Sequence, residues 1–176
     1  VIAEMAPTDR AAVMRFTFPE STESGVVIDA FDRGSQVKVL DEHTVAGYTT
    51  RNSGGVPANF RNYFVIRFDK PIESHRLLDG TRDVQGDAVT GDHALAAVYF
   101  TTHRGERVTA RVASSFISEE QAVRNLETEL GTDDFDTVKA NAQNRWDEVL
   151  GRIEVSGGTE EQLRTFYSCL YRSTLF

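Results

Sequence analysis

The sequence predicts a mainly β fold, a large antiparallel β-sandwich followed by α-helices. Three observations carry that expectation. Up to about Ser115, short runs of alternating apolar and polar residues are separated by turn residues, as half-buried antiparallel strands require. From Ser118 onward the apolar spacing changes to three and four, the signature of amphipathic helices. The chain has 176 residues, 40% apolar and 26% charged, enough for one core or slightly more.

The strands follow in order. Val1 to Met5 reads as a segment already inside a strand. Phe16 and Phe18 alternate with Arg15 and Thr17 until Pro19 stops the run. Gly25 to Phe31 is a second strand, closed by the turn Asp32-Arg33-Gly34-Ser35. Val37 and Val39 flank Lys38, and His43 to Thr50 supplies the next segment. Over Asn62–Phe68, Phe64, Ile66 and Phe68 share one face and Tyr63, Val65 and Arg67 the other. Ala94–Thr101 and Arg107–Ser114 bracket the turn His103-Arg104-Gly105-Glu106.

Helical signals then take over. Ser118 and Gln121 have capping-box spacing and open a helix that runs to Leu130, with Gly131 closing it. Asp133, Asp134 and Asp136 load the start of the next helix, where negative charge meets the positive end of the macrodipole. Phe135, Val138, Ala142, Trp146, Val149 and Leu150 form its stripe before Gly151. A short strand is expected at Ile153–Val155. Thr159 and Gln162 make another capping box, and Leu163, Phe166, Tyr167, Leu170, Tyr171 and Leu175 follow as a wide apolar stripe. No Gly, Pro or Asn closes this helix before Phe176. Little sequence remains to cover the stripe, so the chain reads as a piece of a longer protein. The opening residues fit a cut within a larger domain better than a cleaved secretory precursor, whose mature terminus is more often polar and frayed.

A net charge of −8 and a pI near 5.0 leave no Lys/Arg cluster to neutralise phosphates, which argues against nucleic acid and an anionic membrane as partners. No stretch approaches the ~18 apolar residues a spanning helix needs. Cys169 is the sole cysteine and is expected to be a small buried side chain.

His43, His75, His93 and His103 show no zinc-type spacing and read as surface or turn residues. The carboxylate-rich stretch Asp79–Asp92 could hold calcium but lacks the ordered ligand spacing, and Asp-Gly is also what hairpin turns require. Glycosidase carboxylates cannot be picked by sequence from 27 acidic residues. The segment Asn52 to Tyr63 stands apart. Gly54-Gly55-Val56-Pro57-Ala58 punctuates a shaped loop, and Asn59 beside Phe60 offers an amide next to an apolar platform, as sugar sites use. Phe60 could instead tuck into the sandwich core.

These residues bear a resemblance to a known family. Arg15-Phe16-Thr17-Phe18-Pro19, Gly54 to Phe60 with Tyr63-Phe64, and Phe68-Asp69-Lys70-Pro71 come first, then Trp146. The most specific piece is Gly157-Gly158-Thr159 through Phe166-Tyr167-Ser168-Cys169-Leu170-Tyr171-Arg172. Together, in order over nearly the whole chain, they resemble the glycoside hydrolase family 92 α-mannosidases, exo-acting, calcium-dependent bacterial enzymes. The resemblance implies three parts: residues 1–115 as an N-terminal sandwich incomplete at its start, 116–156 as a helical linker, and 157–176 as the first helix of a catalytic (α/α)6 barrel. It also implies α-mannoside glycans such as α-1,2-linked mannose as substrates, inverting hydrolysis, calcium in the parent enzyme and a secreted, periplasmic or cell-surface location. The acid, the base and most calcium ligands would lie in the barrel. No catalytic residue and no metal site is therefore expected in this chain, which should be inactive alone. Asn59 and Phe60 are the candidate substrate-binding residues. A stand-alone carbohydrate-binding or cell-surface interaction module is the competing reading, against which the uncovered final helix counts.

Overall fold

The computed structural model describes residues 1–175; Phe176 lies outside the described residues. Eleven strands form two antiparallel sheets, and three helices follow. The strands are β1 Ile2–Pro7, β2 Ala11–Thr17, β3 Ser21–Asp29, β4 Ser35–Val39, β5 Thr44–Thr49, β6 Asn62–Phe68, β7 Ser74–Asp79, β8 Arg82–Val84, β9 Ala88–Gly91, β10 Ala94–Thr102 and β11 Arg107–Ser115. The helices are α1 Glu119–Glu129, α2 Phe135–Leu150 and α3 Glu160–Ser173. A seven-stranded sheet has the order β1-β2-β11-β6-β5-β4-β9, and a four-stranded sheet the order β3-β10-β7-β8.

The large sheet is apolar on both faces. Ile66, Phe68, Val108 and Ala110 point into the sandwich and meet Ile28, Leu77, Val98 and Phe100 of the smaller sheet. On the other face Val13, Ala46, Val65 and Ala113 meet Ala122, Leu126, Leu130, Phe135 and Val138 of the helical segment. The first two helices, read from sequence as a linker, thus form a third layer that closes a second core. Their caps are made by Ser118, whose hydroxyl accepts from Gln121 N–H, and by Asp134, whose carboxylate accepts from Thr137 N–H.

α1 crosses the strands of the large sheet. Near its start Glu119 pairs with Lys38 of β4 at 2.7 Å. At its end Glu129 accepts from the Thr8 hydroxyl at 2.6 Å and Arg10 N–H at 2.8 Å, both in the β1–β2 turn. Arg15 lies 4.0 Å over the ring of Phe135 and pairs with Glu4 at 2.8 Å, pinning α2 to β1 and β2.

Several expectations need correction. Ile153–Val155 forms no strand; Ile153 and Val155 are exposed, no strand lies beside them, and Gly157 and Gly158 in left-handed backbone carry the chain into α3. The stretch Asp79–Asp92 is not all turn, because β8 folds back on β7 about Gly80 and β9 joins the edge of the large sheet. β7 escaped notice because its first residues, Ser74-His75-Arg76, are polar. Cys169 is exposed, because α3 has no covering layer among the described residues.

Gly47 marks a tight contact in the large sheet. A Cβ there would collide with the Gln36 carbonyl oxygen and approach Phe64 Cζ to 2.8 Å. Gly47→Ala should lower the unfolding free energy by about 1–3 kcal/mol, and an unchanged denaturant midpoint would contradict this packing. The Glu129 clamp predicts a pH dependence. Burial raises its pKa, but hydrogen bonds from Thr8 and Arg10 outweigh burial and hold it below the ordinary 4.5. A lowered folded-state pKa contributes stability that is present above the ordinary value and lost as pH falls through the folded one. Glu129→Gln should therefore flatten the fall in unfolding midpoint between about pH 5 and 3; an identical fall in both proteins would count against the clamp.

Candidate functional site

The candidate site lies at one end of the sandwich. Thr49 of β5 pairs with Asn62 of β6, and Ser115 of β11 pairs with Tyr63. The 50–61 loop and the segment that runs from β11 into α1 therefore leave the large sheet side by side. The β3–β4 turn joins them there, since Ser35 pairs with Thr49.

The loop is shaped by its own side chains. Asn52 donates from Nδ2 to Thr50 O at 2.9 Å, and its Oδ1 accepts from Gly54 N–H at 2.8 Å. Gly54 and Gly55 hold φ of 103° and 74°, a region that carries a steric penalty for other residues. No atom lies within 4 Å of where a Cβ would sit on either, so backbone conformation and not crowding requires glycine. Phe60 N–H then donates to Pro57 O at 3.0 Å, closing a turn that returns the chain to β6.

Asn59 is exposed on this turn and Phe60 is half-buried. Phe60 belongs to neither core cluster, so it does not tuck into the sandwich. Its ring packs on Phe116, with centroids 5.6 Å apart and planes at 36°. Phe116 and Ile117 are 71% and 77% exposed, and the pair forms an apolar platform at the end of the sheet. Beside it Tyr48 and Tyr63 meet edge to face at 6.0 Å, with the Arg61 guanidinium 4.8 Å from the Tyr48 ring. Asn62 Oδ1 is buried with no hydrogen-bond donor among the described residues. Aromatic faces, an amide and a cationic donor thus converge within one loop and its neighbours, a set suited to C–H faces and hydroxyls. The sequence pointed to Asn59 and Phe60 but not to Phe116 or Tyr48, because only the register of three strands brings these residues together.

Among the described residues, no group of three or more His, Cys, Asp or Glu side chains is placed to hold a metal ion by itself. His43 Nδ1 lies 2.9 Å from Phe68 O, His93 Nε2 lies 2.7 Å from Asp29 Oδ1, and His75 Nε2 lies 3.3 Å from both Gly86 O and Asp87 Oδ1. Burial works against the Asp29 carboxylate, yet hydrogen bonds from Phe31 N–H and His93 outweigh it and lower its pKa.

Residues 1–115 match the glycosyl hydrolase family 92 N-terminal domain, and residues 121–176 match the glycosyl hydrolase family 92 catalytic domain. Solved structures agree. The family GH92 inverting mannosidase BT2199 of Bacteroides thetaiotaomicron VPI-5482 is 41% identical, with a TM-score of 0.93 over 98% of this chain and 24% of that one. The family GH92 α-mannosidase BT3965 of the same species is 26% identical, with a TM-score of 0.87 over 96% of this chain and 24% of that one. An uncharacterized secreted glycosidase of Arthroderma benhamiae is 28% identical over 99% of this chain and 26% of its own length. The chain thus spans about a quarter of the length of these relatives.

Because Phe60 stacks outside the core, Phe60→Ala should cost clearly less than the ~3–5 kcal/mol of a core Phe truncation. A double-mutant cycle with Phe116→Ala should return a coupling of about 0.5–1.5 kcal/mol. A loss of core size, or zero coupling, would remove the platform.

Proposed function

The chain belongs to glycosyl hydrolase family 92, and on that premise we propose that it is the non-catalytic N-terminal portion of a secreted exo-α-mannosidase. In this reading the sandwich end at Asn59, Phe60 and Phe116 forms one wall of the pocket that receives the terminal mannose of an α-mannoside. The rest of the catalytic domain supplies the acid, the base and a calcium site, and hydrolysis inverts the anomeric centre.

One observation carries the reading: the aromatic platform sits beside the segment that leads into the catalytic-domain match. Phe116 precedes residue 121, where that match begins, by a few positions. A shaped loop and the start of the catalytic portion therefore share one end of the sandwich. The unburied stripe of α3 supports the same arrangement. Leu163, Phe166, Tyr167 and Leu170 are only half-buried, and Tyr171 meets Trp146 of α2 edge to face at 4.7 Å. Such a stripe is completed by packing against further helices, which a self-standing carbohydrate-binding module would not need.

The role of Asn59 and Phe60 follows from their chemistry. An exposed amide can donate to and accept from sugar hydroxyls, and a phenyl face covers C–H groups. Pro57 restricts Val56 to extended backbone and so limits how far the loop must be ordered on binding.

In the full-length enzyme, Phe60→Ala should lower kcat/KM for an α-mannoside about tenfold, equivalent to about 1.4 kcal/mol of transition-state binding, with folding intact. An unchanged kcat/KM would take the loop out of the pocket. The 176-residue chain alone should release no mannose from α-mannobiose with or without added calcium; turnover by a clean preparation would overturn its assignment as non-catalytic.

A further inference from the structure

The β3–β4 turn is strained, heavily anchored and outward-facing. Phe31 and Arg33 hold φ of 63° and 76°, left-handed values that are outliers for bulky side chains. Glycine or asparagine at either position would relieve that strain. Instead the turn is held by its surroundings. Phe31 N–H donates to Asp29 Oδ1 at 2.8 Å, and Ser35 Oγ donates to Phe31 O at 2.7 Å while accepting from Ala94 N–H at 2.8 Å. Thr50 Oγ1 lies 2.5 Å from Arg33 O and 2.9 Å from Gly34 O, as a hydroxyl donor shared between the two carbonyls. Gly34 N–H donates to Asp92 O at 3.0 Å, and Arg51 pairs with Asp32.

This anchoring presents side chains that do no packing. Phe31 is 55% exposed, and its ring adds nothing to either core. Arg33 is exposed and meets no carboxylate among the described residues. Beside them is a shallow cleft of about 570 Å³ lined by Arg33, Arg51, Asn52, Ser53 and Gly54. The cleft continues into the loop that ends at Phe60. Retained strain that yields no packing is explained when the side chains serve an outside ligand.

The chemistry selects the ligand class. Guanidinium and hydroxyl donors line the cleft, and the Asp32 carboxylate, paired with Arg51, supplies acceptors in the same turn. A hydroxyl both donates and accepts, so a neutral polyol can use the Arg51–Asp32 pair, the Asn52 amide and the Ser53 hydroxyl together. An exposed phenyl face completes a sugar-binding set. We infer that the Phe31–Gly34 turn and the Arg51–Gly54 segment form a second glycan contact, holding a hexose unit beyond the one at Phe60. This extends the α-mannoside reading above and rests on it.

The test uses the full-length enzyme with two substrates: an aryl α-mannoside, which carries a single sugar, and a linear α-mannotriose, which carries two more. Phe31→Asn keeps a residue that tolerates the left-handed turn but removes the ring, and Arg33→Asn removes the guanidinium in the same way. Each variant should lower kcat/KM for the trisaccharide about three- to tenfold, the range of one aromatic or charge-assisted contact. Turnover of the aryl mannoside should stay within about twofold of wild type, which also reports intact folding. Equal losses on both substrates would mark the turn as structural, and no loss on either would empty the cleft; both outcomes overturn the inference while leaving the mannosidase reading standing. A wild-type enzyme that cleaves neither substrate overturns the mannosidase reading and this extension together.

Discussion

Val13, Val65 and Ala113 point to one side of the seven-stranded sheet while Ile66, Val108 and Ala110 point to the other, and neither side can face water. This double burial organises the rest of the chain. The inner face is covered by the four-stranded sheet, whose Leu77, Val98 and Phe100 complete an aligned sandwich core. The outer face needs a separate cover, and α1 and α2 supply it through Ala122, Leu126, Leu130, Phe135 and Val138. Polar ties at the ends of α1, from Lys38 and from the Thr8–Arg10 turn, fix the angle at which it crosses the strands. The boundary between sandwich and helices is therefore not an energetic boundary. The first helices of the catalytic-domain match are part of the sandwich's own burial.

That coupling places the candidate site. The chain must leave β11 and turn at once into α1 to cover the outer face, so Phe116 and Ile117 are held at the sheet end with nowhere apolar to go. The 50–61 loop emerges from the same end because β6 pairs with β11 on one side, setting Tyr63 against Ser115, and with β5 on the other, setting Asn62 against Thr49. Phe60 meets Phe116 there, and the tyrosines of β5 and β6 stand beside them. The anchored β3–β4 turn adds Phe31 and Arg33 to this end. The chain is acidic overall, yet Arg33 and Arg51 line the cleft at this end and Arg61 lies over the Tyr48 ring.

A β-sandwich end offers loops and turns on a rigid scaffold, the setting in which binding residues commonly sit. The described residues contain no converged set of metal-binding side chains, and the carboxylates whose pKa is lowered, such as Asp29 and Glu129, are occupied by structural hydrogen bonds. α3 begins with a full capping box yet buries none of its residues, so local signals start the helix and tertiary packing must complete it.

Much of this was legible in the sequence because it rests on local chemistry. Alternation marked β2 to β6, β10 and β11, since a half-buried strand must alternate. Ser118, Asp134 and Thr159 marked the helix starts, because each satisfies backbone N–H groups within its own first turn. Gly54, Gly55 and Pro57 marked a shaped loop, and Asn59 and Phe60 its chemistry. Contacts between distant residues were decided only by the tertiary structure. β7 to β9 were hidden by short, polar stretches that become strands because neighbours offer unpaired edges. Ile153–Val155 has strand-like residues but no such edge, and stays irregular. Whether Phe60 packed inward or outward turned on the register that sets Ser115 against Tyr63 and delivers Phe116 to its side. Propensity and caps act over a few residues, whereas register is a property of pairs far apart in the chain, and at this sandwich end register chose which side chains meet.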